Sequence, residues 1–137
     1  MERFFSPQLL ESTRVVVLQG ERVAPFDFYP MLRDLGFKDL PDHSTTLAIT
    51  FAEVVVSHEP FSTGLLFHEL VHVEQYRQLG IEKFAEFYVG GFLKGGRYEA
   101  IPLEVNAYTL GDRFESDPHC VFSVEAEVKR WAVEGRL

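Results

Sequence analysis

Cysteine is almost absent from this sequence: Cys120 stands alone among 137 residues. A single thiol excludes an internal disulfide and fits a reducing compartment, so a cytoplasmic location is expected. Positive charge is also scarce. Thirteen Lys and Arg against twenty-one Asp and Glu leave a formal net charge of −8. That balance argues against nucleic acid and anionic membrane surfaces as partners, since both require basic patches. Long apolar runs are missing, and stretches such as Val15-Val16-Val17-Leu18 are far too short to span a bilayer. Met1-Glu2-Arg3-Phe4-Phe5-Ser6-Pro7 has no apolar run behind its charges, so no secretory signal is expected. Repeats, low-complexity tracts and linkers are absent too, and the length suits one domain over residues 1–137. What the chain does have is apolar bulk. It is 46% hydrophobic with thirteen Phe, enough to bury a core.

The first half reads mainly as strands. Ser6 and Pro7 open a short helix over residues 6–12. Arg14 to Gln19 is β-branched and stops at Gly20, the pattern of a strand. Asp27 to Leu35 suits a helix with Pro30 in its first turn and Gly36 as its stop. Pro41-Asp42-His43-Ser44 is a turn. Thr45 to Phe51 and Glu53 to Ser57 give one or two further strands, closed by His58-Glu59-Pro60. Helices then take over. Ser62 or Thr63 caps one that runs to about Leu79 and stops at Gly80. Ile81 to Leu93 follows, with Phe84, Phe87, Tyr88 and Phe92 at helical spacing and its end weakened by Gly90-Gly91 and Gly95-Gly96. Pro102 opens a helix to about Phe114. Ser123 caps a last one, Val124 to Glu134, with Val124, Val128 and Trp131 on one face. The acidic residues Glu125, Glu127 and Glu134 form its solvated side. Strands first and helices later define an α+β fold.

The chemistry concentrates in Phe67-His68-Glu69-Leu70-Val71-His72-Val73. On a helix, residues i and i+4 share a face, so His68 and His72 can reach one ion. Zn²⁺ suits neutral imidazole. Glu69 lies about 100° further round the helix. It therefore stands outside the ligand set but beside a metal-bound water, whose proton it can take and pass on. His-Glu-x-x-His on a helix is the signature of zinc metallopeptidases. Leu65, Leu66, Leu70, Val71 and Val73 make the segment a buried helix, where histidines and a glutamate are costly without a partner or a metal. Glu74 stands where an apolar residue is usual, and a surface-facing turn there would accommodate it.

Zinc catalysts normally use three protein ligands and one open position. Gln75 and Gln78 occupy the positions where the extended metzincin pattern needs Gly and His, which excludes that class. Cys120 follows the motif rather than preceding it, which excludes the deformylase arrangement. A downstream glutamate remains, and Glu99 and Glu104 are the candidates. Over roughly residues 60–112 the chain resembles a small gluzincin-type metallopeptidase domain. The likeness rests on the helix from Leu65 to Val73, Gln75-Tyr76, Tyr98, Pro102-Leu103-Glu104 and Ala107-Tyr108. It implies a zincin-like fold, a small and mostly antiparallel sheet followed by the active-site helix and further helices. It also implies an edge strand within residues 46–57 that accepts an extended peptide. Between the glutamates, Pro102 favours Glu104 by placing it in the first turn of a helix, where a carboxylate is welcome. Ala107, Tyr108 and Gly111 share its face, and the two small residues would allow close approach to the histidine helix. Glu99, beside Arg97, reads as a loop carboxylate.

The expected function is therefore hydrolysis of peptide bonds in a peptide or protein substrate, with His68, His72 and Glu104 as ligands and Glu69 as general base. Two other classes fit the same residues: a zinc-binding or partner-binding module without catalysis, and a metal-dependent hydrolase of a non-peptide substrate. Tyr76, Tyr98 and Tyr108 are possible donors to an oxyanion, although each also suits a half-buried packing role. His43, His58 and His119 sit near turns and read as exposed; His119, beside Cys120, could hold a metal loosely.

Overall fold

Ser6 and Pro7 start the first helix as their chemistry dictates. Ser6 Oγ accepts from the Leu9 N–H at 3.3 Å and Pro7 takes the first position of α1, Pro7–Ser12. The computed structural model describes residues 1–18, 34, 48–117 and 119–137. The helix expected over 27–35 and the turn over 41–44, with His43, lie outside these except for Asp34.

Three short strands follow: β1, Arg14–Val17; β2, Ala48–Phe51; and β3, Val54–Ser57. Their order is β1-β3-β2, so among the described residues β2 is an edge. The β2–β3 pair is antiparallel, with Phe51 opposite Val54. Ala52 and Glu53 connect the two strands, and Ala52 adopts φ 52° in that turn. The β1–β3 pair is parallel, with Arg14 opposite Val54 and Val17 opposite Ser57. Among the described residues the sheet is therefore mixed, one parallel and one antiparallel pair, rather than mostly antiparallel. A β-branched run predicts a strand, but the direction of its partner depends on the chain between them.

The long helix α2, Thr63–Gly95, begins where Ser62 Oγ accepts from the Leu65 N–H at 3.1 Å. Gly80 interrupts it with φ 78° and ψ 163°, giving one arm over 63–79 and a second over 81–95. The second arm continues through Gly90-Gly91 and is capped by Gly96, whose φ is 69°. Gly91 is there for space, since a Cβ would sit 2.6 Å from Pro102 Cδ. A single 3-10 turn, Tyr98–Ala100, then leads into α3, Pro102–Ser116. The last helix is α4, Val124–Val133, capped by Ser123 and buried along Val124, Val128 and Trp131. Glu125 and Glu134 are exposed on its other side, while Glu127 is half-buried and pairs with Arg113 at 3.0 Å.

The fold is α+β. Its main core lies between the sheet, the first arm of α2, α3 and α4, around Phe67. Phe67 stacks on Phe114 at 4.3 Å and takes the edges of Phe4, Phe5 and Phe122. Each fully buried Phe contributes roughly 1.5–3 kcal/mol. A second cluster, built on Phe84, Ile101 and Leu103, packs the second arm against the start of α3. Among the described residues no helix is long and apolar enough to cross a membrane.

Candidate metal centre

The first arm of α2 is oriented by Phe67, Leu70, Val71 and Val73, all buried. Burying those four turns His68 and His72 toward α3, with their Nε2 atoms 3.1 Å apart. Pro102 opens α3 and places Glu104 in its first turn. Leu103 and Ala107, both fully buried, press that turn against the neighbouring helix. Gly111 has no such role, because a Cβ added there would meet nothing within 4 Å. Ala107 alone provides the close approach expected of the pair.

Glu104 Oε2 lies 3.3 Å from Nε2 of His68 and 3.3 Å from Nε2 of His72. One ligand atom from each of the three residues falls within 4.8 Å of the others, and the group could hold a metal ion. His72 and Glu104 are buried, while the His68 side chain keeps 13% of its surface. Glu104 Oε2 is buried without a well-formed hydrogen bond. A carboxylate oxygen is seldom left so in a protein interior unless an ion or water completes it. Two imidazole nitrogens and this oxygen are a donor set that suits a divalent first-row ion. Glu99, in the 3-10 turn, is exposed and outside the group.

The charges agree with this geometry. Burial alone would lower the pKa of His72, but the Glu104 carboxylate, with Glu69 and Gln75 adding to it, outweighs burial and pushes the imidazole up to about 9. Burial would raise Glu104, yet the neighbouring His72 and His68 hold it well below the usual carboxylate range. Without a metal, a proton on His72 balances Glu104, and a cation can take its place.

Gln75 holds His72 from behind. Its Nε2 donates to Leu103 O and to Asn106 Oδ1, each at 2.9 Å, so its Oε1 is the accepting end. That oxygen lies 2.8 Å from His72 Nδ1. The imidazole therefore donates from Nδ1 and presents the Nε2 lone pair to the centre. On the opposite side, Thr50 of β2 donates to Glu69 Oε2 at 2.6 Å, and Glu69 is buried outside the three-residue group. Glu69, His72 and Glu104 line one end of a cavity of about 170 Å³ between β2 and the second arm.

The three tyrosines part company. Tyr76 stacks on Phe84 at 3.6 Å, and burial pushes its phenol up to about 12. Burial raises Tyr98 further still, with the Glu104 charge and a hydrogen bond to Glu104 adding to it, so its hydroxyl stays protonated beside that ligand. Tyr108 is 47% exposed, its ring 4.6 Å from that of His68. His119 is exposed and not grouped with other ligands among the described residues, and His58 is half-buried. Glu74 contradicts the surface-facing turn expected of it. It is 2% exposed, accepts from Gln78 Nε2 at 2.7 Å and lies 3.6 Å from Arg77. Burial raises its pKa. The core absorbs this carboxylate because Gln78 and Arg77, on the same helix, supply its donors.

The sequence reading missed Thr50, Gln75 and Asn106. Gln75 had a signal, since it follows His72 by one helical turn, but it entered only as evidence against one motif. Thr50 and Asn106 had none, because their contacts depend on how β2 and α3 dock. The chain matches no protein-family model, no curated protein and no solved structure.

Proposed function

We propose that the chain is a zinc-dependent metallopeptidase of gluzincin type, with one Zn²⁺ held by His68, His72 and Glu104. The observation that carries the reading is the convergence of these three ligand atoms within 4.8 Å, with Glu69 fixed by Thr50 beside them. A structural zinc is closed by four protein ligands, whereas three leave a position open, and the group holds three among the described residues. When bound, zinc would lower the pKa of a water and polarise the scissile carbonyl. Glu69 is the general base and then the general acid. Thr50 engages Oε2, which leaves the second carboxylate oxygen for the proton on its way to the leaving amine. Tyr98 steadies Glu104 with its protonated hydroxyl. Gln75 keeps His72 in the tautomer a metal needs. The edge position of β2 among the described residues supports a zincin-like arrangement in which an extended peptide adds to the sheet.

The reading is tested by scanning a peptide library with zinc-loaded protein and with its Glu69→Gln variant. Glu69→Gln should keep its zinc and lose on the order of a hundredfold or more in cleavage rate. Undiminished zinc-dependent cleavage by the variant would exclude this role for Glu69. Full zinc loading with no cleavage by the wild type would favour a binding module instead.

A further inference from the structure

The cavity beside the metal centre has a wall that the chemistry so far leaves unused. It is formed by Ile49 and Phe51 of β2, by Tyr76, and by Ile81, Phe84 and Tyr88 after the break in α2. The break creates it. Gly80, at φ 78°, redirects the second arm so that Phe84 stacks on Tyr76 at 3.6 Å, with Tyr88 5.9 Å from Phe84. Among the described residues the ionisable lining is Glu69, His72 and Glu104, with the phenols of Tyr76, Tyr88 and Tyr98; the carboxylates and the imidazole belong to the candidate metal centre.

We infer that this cavity receives one neutral, branched or aromatic side chain of the substrate, adjoining the bond that is cleaved. The inference rests on the metallopeptidase reading and names its specificity. The volume of about 170 Å³ falls below the roughly 300–1,000 Å³ of a pocket that encloses a whole small molecule. It therefore serves one group of a longer substrate. A charged side chain would lose its hydration against Phe84 and Tyr88, with no counter-ion among the described residues of that wall. The cavity adjoins β2, so a peptide added to that strand, whose side chains alternate between faces, can place one of them there.

The test needs no known substrate. Zinc-loaded full-length protein is titrated with acetohydroxamate and with hydroxamates carrying an isobutyl, a benzyl, a carboxyethyl or an aminobutyl group. The isobutyl and benzyl compounds should bind on the order of thirtyfold or more tighter than acetohydroxamate, from the apolar area they bury. The carboxyethyl and aminobutyl compounds should gain little. Ala85 is exposed at the rim of the cavity, so Ala85→Phe should fold and narrow the mouth. In that variant the gain should shrink several-fold, and if it does not fold, the wild-type series alone decides. Acetohydroxamate binding with no gain for either apolar group would overturn the inference and leave the metal centre standing. Failure of every hydroxamate to bind zinc-loaded protein would overturn the metallopeptidase reading, and this inference with it.

Discussion

Gln75 fixes His72 through the nitrogen that faces away from the metal centre, at 2.8 Å. The same side chain reaches the backbone of Leu103 at 2.9 Å, one residue before Glu104. It thus ties the helix that carries both histidines to the helix that carries the glutamate. Gln75→Leu should weaken zinc binding by about 10- to 100-fold, the usual loss for a partner that orients a ligand. Gln75→Glu keeps the acceptor and should fall in between. Chelator competition measures both, and wild-type affinity in Gln75→Leu would remove Gln75 from the account.

Thr50 offers a separate handle on the base. Thr50→Val removes the hydroxyl that donates to Glu69 Oε2 at 2.6 Å and keeps the β-branched shape of β2. Zinc content should be unchanged, because Glu69 lies outside the His68, His72 and Glu104 group. Turnover should fall by about tenfold, since a general base works only when held in reach of its proton. Loss of metal instead would mean that Thr50 supports the site as a whole.

The contrast between these residues and the motif shows how much was legible in advance. His68 and His72 were readable because helical spacing alone places them together. Glu104 was readable because Pro102 marks a helix start and Gly80 because it stops one; both signals are local. Thr50, Asn106 and the parallel pairing of β1 with β3 were not, because each is settled by docking between distant segments. Glu74 misled for the same reason. A carboxylate in mid-helix suggests solvent, and only the packed structure reveals that Gln78 and Arg77 cover it.

Metal binding should release a proton near neutral pH. Burial opposes the proton on His72, but Glu104, joined by Glu69 and Gln75, lifts the pKa from 6.5 to about 9, so the metal-free chain carries it at pH 7. A bound ion needs neutral imidazole, so apparent zinc affinity should climb by up to about tenfold per pH unit until His72 deprotonates by itself. Titration calorimetry in buffers of different ionisation enthalpy measures the release directly. Stability follows the same linkage. The stabilising contribution of protonated His72 is complete below 6.5 and lost as pH rises through about 9. The melting temperature of the metal-free chain should therefore fall between pH 7 and 9 through this group. A flat profile together with zero proton release would remove the His72–Glu104 pair from the account.

Gly80 carries the bend that separates the metal arm of α2 from the cavity wall. A Cβ there would meet nothing within 4 Å, so the effect of substitution is conformational alone. At φ 78° and ψ 163°, a region essentially open to glycine alone, Gly80→Ala should cost about 1–3 kcal/mol. Thermal or denaturant unfolding of metal-free protein should register it. A neutral or stabilising result would mean that the two arms join as one continuous helix.

The proposed ligands of the single zinc are His68, His72 and Glu104. Chelator competition on three chains tests this most directly: the wild type, Glu104→Ala and Glu99→Ala. Glu104→Ala should bind zinc weaker by more than the roughly hundredfold upper limit for losing a mere orienting partner. Glu99→Ala should remain close to wild type, since its side chain is exposed and outside the group. Wild-type affinity in Glu104→Ala, or the large loss in Glu99→Ala instead, would contradict the assignment.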